Sequence, residues 1–179
     1  MPRVAALEFQ SLAHALRQAT PDEVWRRRLY RLERARQRRL HVAIMHEPFL
    51  SLLMDRGKTI ESRFTVNRIA PYQRAAAGDV LALKKPAGAV VGLALVADVR
   101  FYELDPREPT MLSELRRSFA VQIAATDDEF WEARAHKRYV TLLDVAHPIA
   151  ISAVEVRKRD RRSWAALEAT TLGQRDRAA

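Results

Sequence analysis

Residues 56–64 read RGKTIESRF. Lys58, Glu61 and Arg63 fall close together there, between a helix-like pattern and a strand-like one. Side chains along an extended strand alternate between its two faces. Thr59, Glu61 and Arg63 then share one face, and Ile60 and Phe64 point the other way, into a core. A face of threonine, glutamate and arginine is polar and can line a cleft. Lys58 follows Gly57, whose backbone freedom lets the amine turn toward the same cleft. The plain alternative is an exposed strand face carrying a Glu61–Arg63 ion pair.

Working outward, residues 41–45, HVAIM, are short and β-branched and read as a strand. Pro48 opens a short helix, PFLSLLMDR, closed by Gly57. After the motif, residues 65–78, TVNRIAPYQRAAAG, have no clear period and read as a loop or lid. Gly78-Asp79 is a turn signal before the strand VLALKK. Pro86 and Gly88 mark the next turn, and AVVGLALVADVRFYEL reads as one long strand. A helix follows over residues 110–119. A second starts at the capping box Thr126-Asp127-Asp128-Glu129 and runs to about residue 135. YVTLLDVA and IAISAVEVR then form two closing strands around His147-Pro148. Five or six short strands with few helices predict an α+β fold, a small mixed β-barrel with flanking helices, over a doubly wound sheet.

Residues 1–39 read as a basic helical extension. Residues 4–18 carry apolar positions at helical spacing. Thr20 caps a second helix, Pro21 fits its first position and Glu23 completes a capping box. Val24, Trp25, Leu29 and Leu32 supply an apolar stripe, and the helix ends near Arg39. Residues 40–156 hold the barrel. Residues 157–179 read as a basic polar tail with Trp164 and Leu167 as docking points.

The chain has 179 residues, of which 48% are hydrophobic, enough for a sizeable core without staples. It has no cysteine, which excludes disulfides, cysteine zinc sites and thiol nucleophiles. No apolar run approaches the roughly 20 residues needed to span a bilayer. The N-terminus carries Glu8 and no continuous apolar region, so neither a signal peptide nor a membrane anchor is expected, and a cytoplasmic location is.

The net charge is +9. Residues 26 to 39 hold eight arginines against Glu33, and residues 157 to 162 hold five basic residues against Asp160. These two segments exceed the whole net charge, so the rest is slightly acidic. Basic flanks around a nearly neutral middle predict a polyanionic partner. Arg27, Arg31, Arg34 and Arg38, with Arg157, Arg159 and Arg161, are the expected contacts to a nucleic-acid backbone. An acidic protein partner is the competing possibility.

Residues 78–88, GDVLALKKPAG, lack the glycine spacing and Lys-Ser/Thr ending of a phosphate-binding loop, and no serine sits in a nucleophile elbow. The five histidines show no metal-ligand spacing. No metal and no cofactor is expected. Phe130 and Trp131 lie on an amphipathic helix and suit core packing better than base stacking. Tyr72 and Phe64 stand among Arg63, Arg68 and Arg74, an interleaving that suits single-stranded nucleic acid as well as an ordinary surface loop. Asp127, Asp128 and Glu129 suit a helix N-terminus and are the only candidates for a distant second carboxylate.

The run Gly57-Lys58-Thr59-Ile60-Glu61-Ser62-Arg63 resembles the ASCH family signature G-x-K-x-x-E-x-R. Lys58, Glu61 and Arg63 match in register, and Arg56 occupies the family's glycine position. The order of the surrounding elements is also similar, over roughly residues 40 to 156. The resemblance implies a PUA-like barrel with a cleft and an association with RNA binding and RNA metabolism. Some members hydrolyse acylated cytidine nucleosides with the motif lysine, a threonine and a further glutamate. Here Lys58 matches, while Glu61 stands where that threonine would be and Thr59 lies two residues early. A few relatives cleave RNA.

Two functions follow as expectations. One is a binding module for RNA, another nucleic acid or a nucleotide, with Lys58, Glu61, Arg63, Asn67, Arg68 and Tyr72 around its cleft. The other is an enzyme, a nucleoside amidohydrolase or a ribonuclease, in which Lys58 is the catalytic group.

Overall fold

A computed structural model of the chain describes residues 8–34, 39–156 and 162–168, with the backbone of residues 3 and 4. The helices are α1 (Phe9–Ala19), α2 (Glu23–Arg34), α3 (Phe49–Met54), α4 (Thr110–Ile123) and α5 (Asp128–Glu132). The strands are β1 (Arg3–Val4), β2 (Arg39–Ile44), β3 (Ile60–Thr65), β4 (Val80–Lys84), β5 (Val90–Glu103), β6 (Tyr139–Val156) and β7 (Trp164–Glu168).

The sheet follows from pairing around the two long strands. β4 pairs antiparallel with β5, and β5 with β6. The first third of β6 also pairs with β3 on its other edge, and its end carries β1 in parallel. On the far side, β4 pairs in parallel with β2, which pairs antiparallel with β7. Six strands in the order β7-β2-β4-β5-β6-β3 thus curl into a mixed half-barrel, an α+β PUA-like architecture. Among the described residues no ladder joins β3 to β7, so the sheet keeps two open edges.

Alternation on the strands separates two cores. Leu40 and Val42 of β2, with Val80 and Ala82 of β4, face outward and bury against Leu12, Leu16, Leu29 and Leu32 of α1 and α2. Ala43, Leu81 and Leu83 face the barrel interior with Leu50 and Leu53 of α3 and Trp164 of β7. A third cluster joins Ile60 of β3 to Leu115 and Ile123 of α4 and Trp131 of α5. The two N-terminal helices lie outside the barrel and share a core with its outer face. Each fully buried leucine there contributes about 1.5–3 kcal/mol.

Several local features differ from the sequence reading. The α2 cap is Asp22, whose Oδ1 accepts the Trp25 N–H at 2.8 Å. Thr20 instead closes α1, its hydroxyl donating to the Leu16 carbonyl at 2.7 Å. Asp127, one residue after the expected Thr126, caps α5 by accepting the Phe130 N–H. Val24 is 68% exposed, because one residue back from Trp25 rotates it off the buried stripe. Arg39 begins β2. α4 continues past Phe119 to Ile123 and ends on Ala124 with φ 59°.

β6 is one strand where two were expected. Its ladder shifts opposite Leu93–Leu95, where His147 takes φ 51°, and this bulge accommodates Pro148, which has no N–H to give. Trp164 and Leu167 do dock, as residues of β7, which pairs antiparallel alongside β2.

One buried polar network ties these strands together. His41 Nε2 lies 2.9 Å from Asp79 Oδ2, and Trp164 Nε1 donates to His41 Nδ1 at 3.0 Å. The indole has only a hydrogen to give, so Nδ1 is the acceptor and Nε2 carries the proton. Asp79 also accepts from the backbone N–H groups of Arg39 and Ala76. β7, β2 and the turn before β4 are locked by this chain.

Candidate functional site

The motif stands where α3 hands over to β3. Arg56, at φ 64°, makes the left-handed turn after α3, and the Lys58 N–H donates to the Leu52 carbonyl at 2.9 Å. The end of α4 holds the next residues from the other side. Lys58 Nζ donates to the Ile123 carbonyl at 2.9 Å, and the Thr59 N–H to the Gln122 carbonyl. Carbonyls at a helix C-terminus lack intrahelical partners and carry partial negative charge, so they suit a buried ammonium.

Lys58 and Glu61 are 3% and 5% exposed, so the exposed strand face is not what forms. Glu61 sits between two cations. Its Oε2 is 3.5 Å from Lys58 Nζ, and its Oε1 is 2.7 Å from Arg63 Nε. The Arg63 Nε–H points off that oxygen, so this contact is a charge pairing without a directed hydrogen bond. Arg63 Nη2 crosses the gap in the half-barrel to donate to the Ile44 carbonyl at 2.9 Å, and its guanidinium lies 5.0 Å from the Trp164 ring centroid.

These three side chains line one cleft of about 300 Å³ with Ile44, Met45, His46, Phe49, Ser62, Phe130 and Arg134. Phe49 lies under the Lys58 ammonium at 5.3 Å, and the Arg134 guanidinium lies 3.5 Å from the Phe130 ring centroid. The cleft therefore offers Glu61 as acceptor, Lys58, Arg63 and Arg134 as cationic donors, and two aromatic walls. Burial pulls the Lys58 ammonium below the usual lysine value. Glu61 opposes that shift, and Arg63 and Arg134 add to it. Burial likewise lowers Arg134.

The loop residues lie elsewhere. Arg68 lines a second, larger opening of about 740 Å³ between β3 and β7, with Arg63, Arg74, Arg162 and Trp164. Arg68 pairs with Glu103 at 2.7 Å. Tyr72 is buried against Phe101 and Tyr139, its hydroxyl donating to Glu103 at 3.2 Å. Burial pushes that hydroxyl's pKa up. Asn67 is exposed and accepts the Thr65 hydroxyl on its backbone carbonyl. Thr59 is exposed and does not line the smaller cleft. The residue shared by the two openings is Arg63.

The remaining candidates divide. Trp131 is core, with its indole donating to the Ala125 carbonyl, while Phe130 lines the cleft. Asp127 is a cap, and Asp128 pairs with Arg116. Glu61 is the sole carboxylate lining the cleft among the described residues. On α2, Arg27 pairs with Glu23, Arg34 lies over Tyr30, and Arg31 is exposed. Arg38, Arg157, Arg159 and Arg161 lie outside the described residues. Arg134, His46 and the Ile123 carbonyl were not foreseen. Arg134 follows Phe130 by four residues, the one local signal that it would stack on that ring.

Among the described residues no helix is long and apolar enough to cross a membrane. No family model and no curated protein matches the sequence. The fold, however, is shared with solved structures. A mutant of the ASCH protein from Zymomonas mobilis superposes with a TM-score of 0.51 at 14% identity, over 68% of this chain and 77% of that one. A second mutant of the same protein gives 0.50 at 14% identity, over 65% and 75%. The N-terminal domain of McrB from Staphylothermus marinus is similar at a TM-score of 0.40 and 10% identity, over 65% of this chain and 75% of that one.

Proposed function

We propose that this chain, which has the fold of an ASCH domain, is a nucleic-acid-binding module that accepts one unpaired base in the cleft of Lys58, Glu61 and Arg63. The observation that supports this reading is the position of Arg63. It walls the small cleft on one side and the arginine-lined opening on the other. A cleft of about 300 Å³ is at the lower end of the range for small-molecule sites, which suits one base or nucleoside. A base edge presents donors and acceptors side by side. Glu61 accepts from an amino or imino group, and Lys58 or Arg134 donates to a carbonyl or phosphate. RNA is the favoured polymer, because single strands whose bases can be splayed out are its usual recognised form.

The test is equilibrium binding of nucleotides and short RNAs to the wild type, Glu61→Gln and Lys58→Ala, each checked for folding by circular dichroism. Both substitutions should erase discrimination among bases while salt-dependent binding persists. Unchanged discrimination in folded variants, or no binding of any nucleic acid at low salt, overturns the reading.

A second reading, hydrolysis of an acylated cytidine, is favoured by one observation, the buried Lys58 facing the cleft, whose ammonium burial pulls below the usual lysine value. The absence of a second carboxylate from the described cleft counts against it. Loss of turnover in Lys58→Ala with little loss of binding would support it over the first reading.

A further inference from the structure

The opening between β3 and β7 does not end at the barrel. Its charged lining is Arg63, Arg68, Arg74 and Arg162 against one acid, Glu168. Glu168 belongs to a knot at the rim, where Arg39 Nε pairs with it at 2.8 Å and Arg74 Nη1 lies 3.9 Å away. Arg39 also donates to the Arg74 carbonyl at 2.8 Å. The start of β2 is thereby fastened to the loop of residues 66–79.

That same loop reaches a second groove. Gly78 at its end, with Val80, Arg27, Arg28 and Arg31, lines a groove of about 390 Å³ beneath α2. Arg28 lies over Trp25, and Arg31 is exposed toward this groove. Arginines therefore flank the loop on both sides. Apolar contacts accompany them, since Ile69 is exposed in the first opening and Val24 in the second groove.

From this juxtaposition we infer a continuous track for a single-stranded polynucleotide. It runs from the β3–β7 opening over the loop of residues 66–79 and along the arginine ridge of α2. The inference rests on the proposed function, whose cleft it extends. Each phosphate meets a guanidinium suited to bidentate contact. A single strand is specified over a duplex because a base must leave the track at Arg63 to enter the small cleft. A polymer is specified over a nucleotide because the ridge lies on the outer face of the sheet, across it from the cleft. The α2 ridge also gives a role to its arginines, of which Arg26 and Arg27 pair, among the described residues, with the exposed Glu23.

The experiment is fluorescence anisotropy of the full chain with a labelled mononucleotide, a short oligonucleotide and a long one, each across a salt series. For a single strand the log–log salt slope grows by about 0.7 per phosphate contacted. The slope should steepen from mononucleotide to short oligonucleotide to long oligonucleotide. Arg27→Gln with Arg31→Gln should reduce the slope for the long oligonucleotide by about 1.4 and leave the mononucleotide unchanged. Arg68→Gln with Arg74→Gln should reduce it for both oligonucleotides. A slope independent of length, with mononucleotide binding intact, overturns the track and spares the cleft. Duplex binding as tight as single-strand binding also overturns it. Failure of every ligand, mononucleotide included, overturns the proposed function itself.

Discussion

The Arg63 guanidinium lies 5.0 Å from the centroid of the Trp164 ring, and this contact joins two edges of the sheet that no ladder connects among the described residues. Arg63 projects from β3 and Trp164 from β7. Arg63 also reaches the Ile44 carbonyl, and Trp164 reaches His41, so both residues are anchored in β2 or at its end. The half-barrel is closed by side chains, and the residue that closes it is the one that walls both openings.

Trp164 should therefore report on closure. Trp164→Phe keeps most of the ring but leaves the buried His41 Nδ1 without its donor, which should cost about 1–3 kcal/mol. Trp164→Ala should cost about 3–5 kcal/mol through the cavity it leaves. Urea denaturation measures both, and equal, negligible losses would show that β7 is not part of the cooperative core.

Arg56 should be improvable. Its φ of 64° is left-handed, which costs a non-glycine residue roughly 1–2 kcal/mol. Glycine returns part of that as unfolded-state entropy, about 0.4–1 kcal/mol. Arg56→Gly, which restores the residue that the ASCH pattern has there, should stabilise the fold by about 0.5–1 kcal/mol by difference. A lower melting temperature for the variant would contradict this.

The two sides of α2 should respond differently. Leu29 is fully buried against the sheet, and Leu29→Ala should destabilise by about 2–5 kcal/mol. Val24→Ala, on the exposed side, should change stability by no more than about 0.5 kcal/mol. Chemical denaturation of the two variants gives the comparison, and similar losses would mean that the helix packs on a different face.

Lys58 should make stability depend on pH on the alkaline side. Its pKa is lowered in the folded state, so the unfolded chain binds its proton more tightly. Stability then rises with pH from the lowered value up to the ordinary lysine value near 10.4, and falls as pH drops through that window. Relative to Lys58→Met, the wild type should gain stability across this window. A constant difference between the two proteins would show that Glu61 fully offsets the burial.

Arg134 should contribute to ligand affinity without contributing to closure. It lies against Phe130 at the cleft and donates to the Phe130 carbonyl. Arg134→Gln should weaken nucleotide binding about tenfold, the loss of one charge-assisted hydrogen bond. Calorimetric titration measures this, and an unchanged affinity would remove Arg134 from the site.

The sequence by itself determined whatever repeats within a few residues. Two-residue alternation sent Ile60 and Phe64 to a core and Glu61 and Arg63 to a cleft, because strand geometry needs no distant partner. Helical spacing likewise put Trp25, Leu29 and Leu32 on the buried side of α2. Capping was legible only to within a residue or two, since Thr20 and Asp22 compete for one helix start and the end of α1 claimed the hydroxyl. The tertiary structure alone decided what crosses long intervals. Lys58 finds the Ile123 carbonyl 65 residues away, and Trp164 finds His41 at a separation of 123. Neither contact has a local signature, because one depends on β7 pairing with β2 and the other on α4 ending against the start of β3. The tertiary structure also set Arg68 in the larger opening and buried Tyr72 against Phe101 and Tyr139, away from Lys58. Pairing with β2 made part of a polar C-terminal segment the strand that faces Arg63.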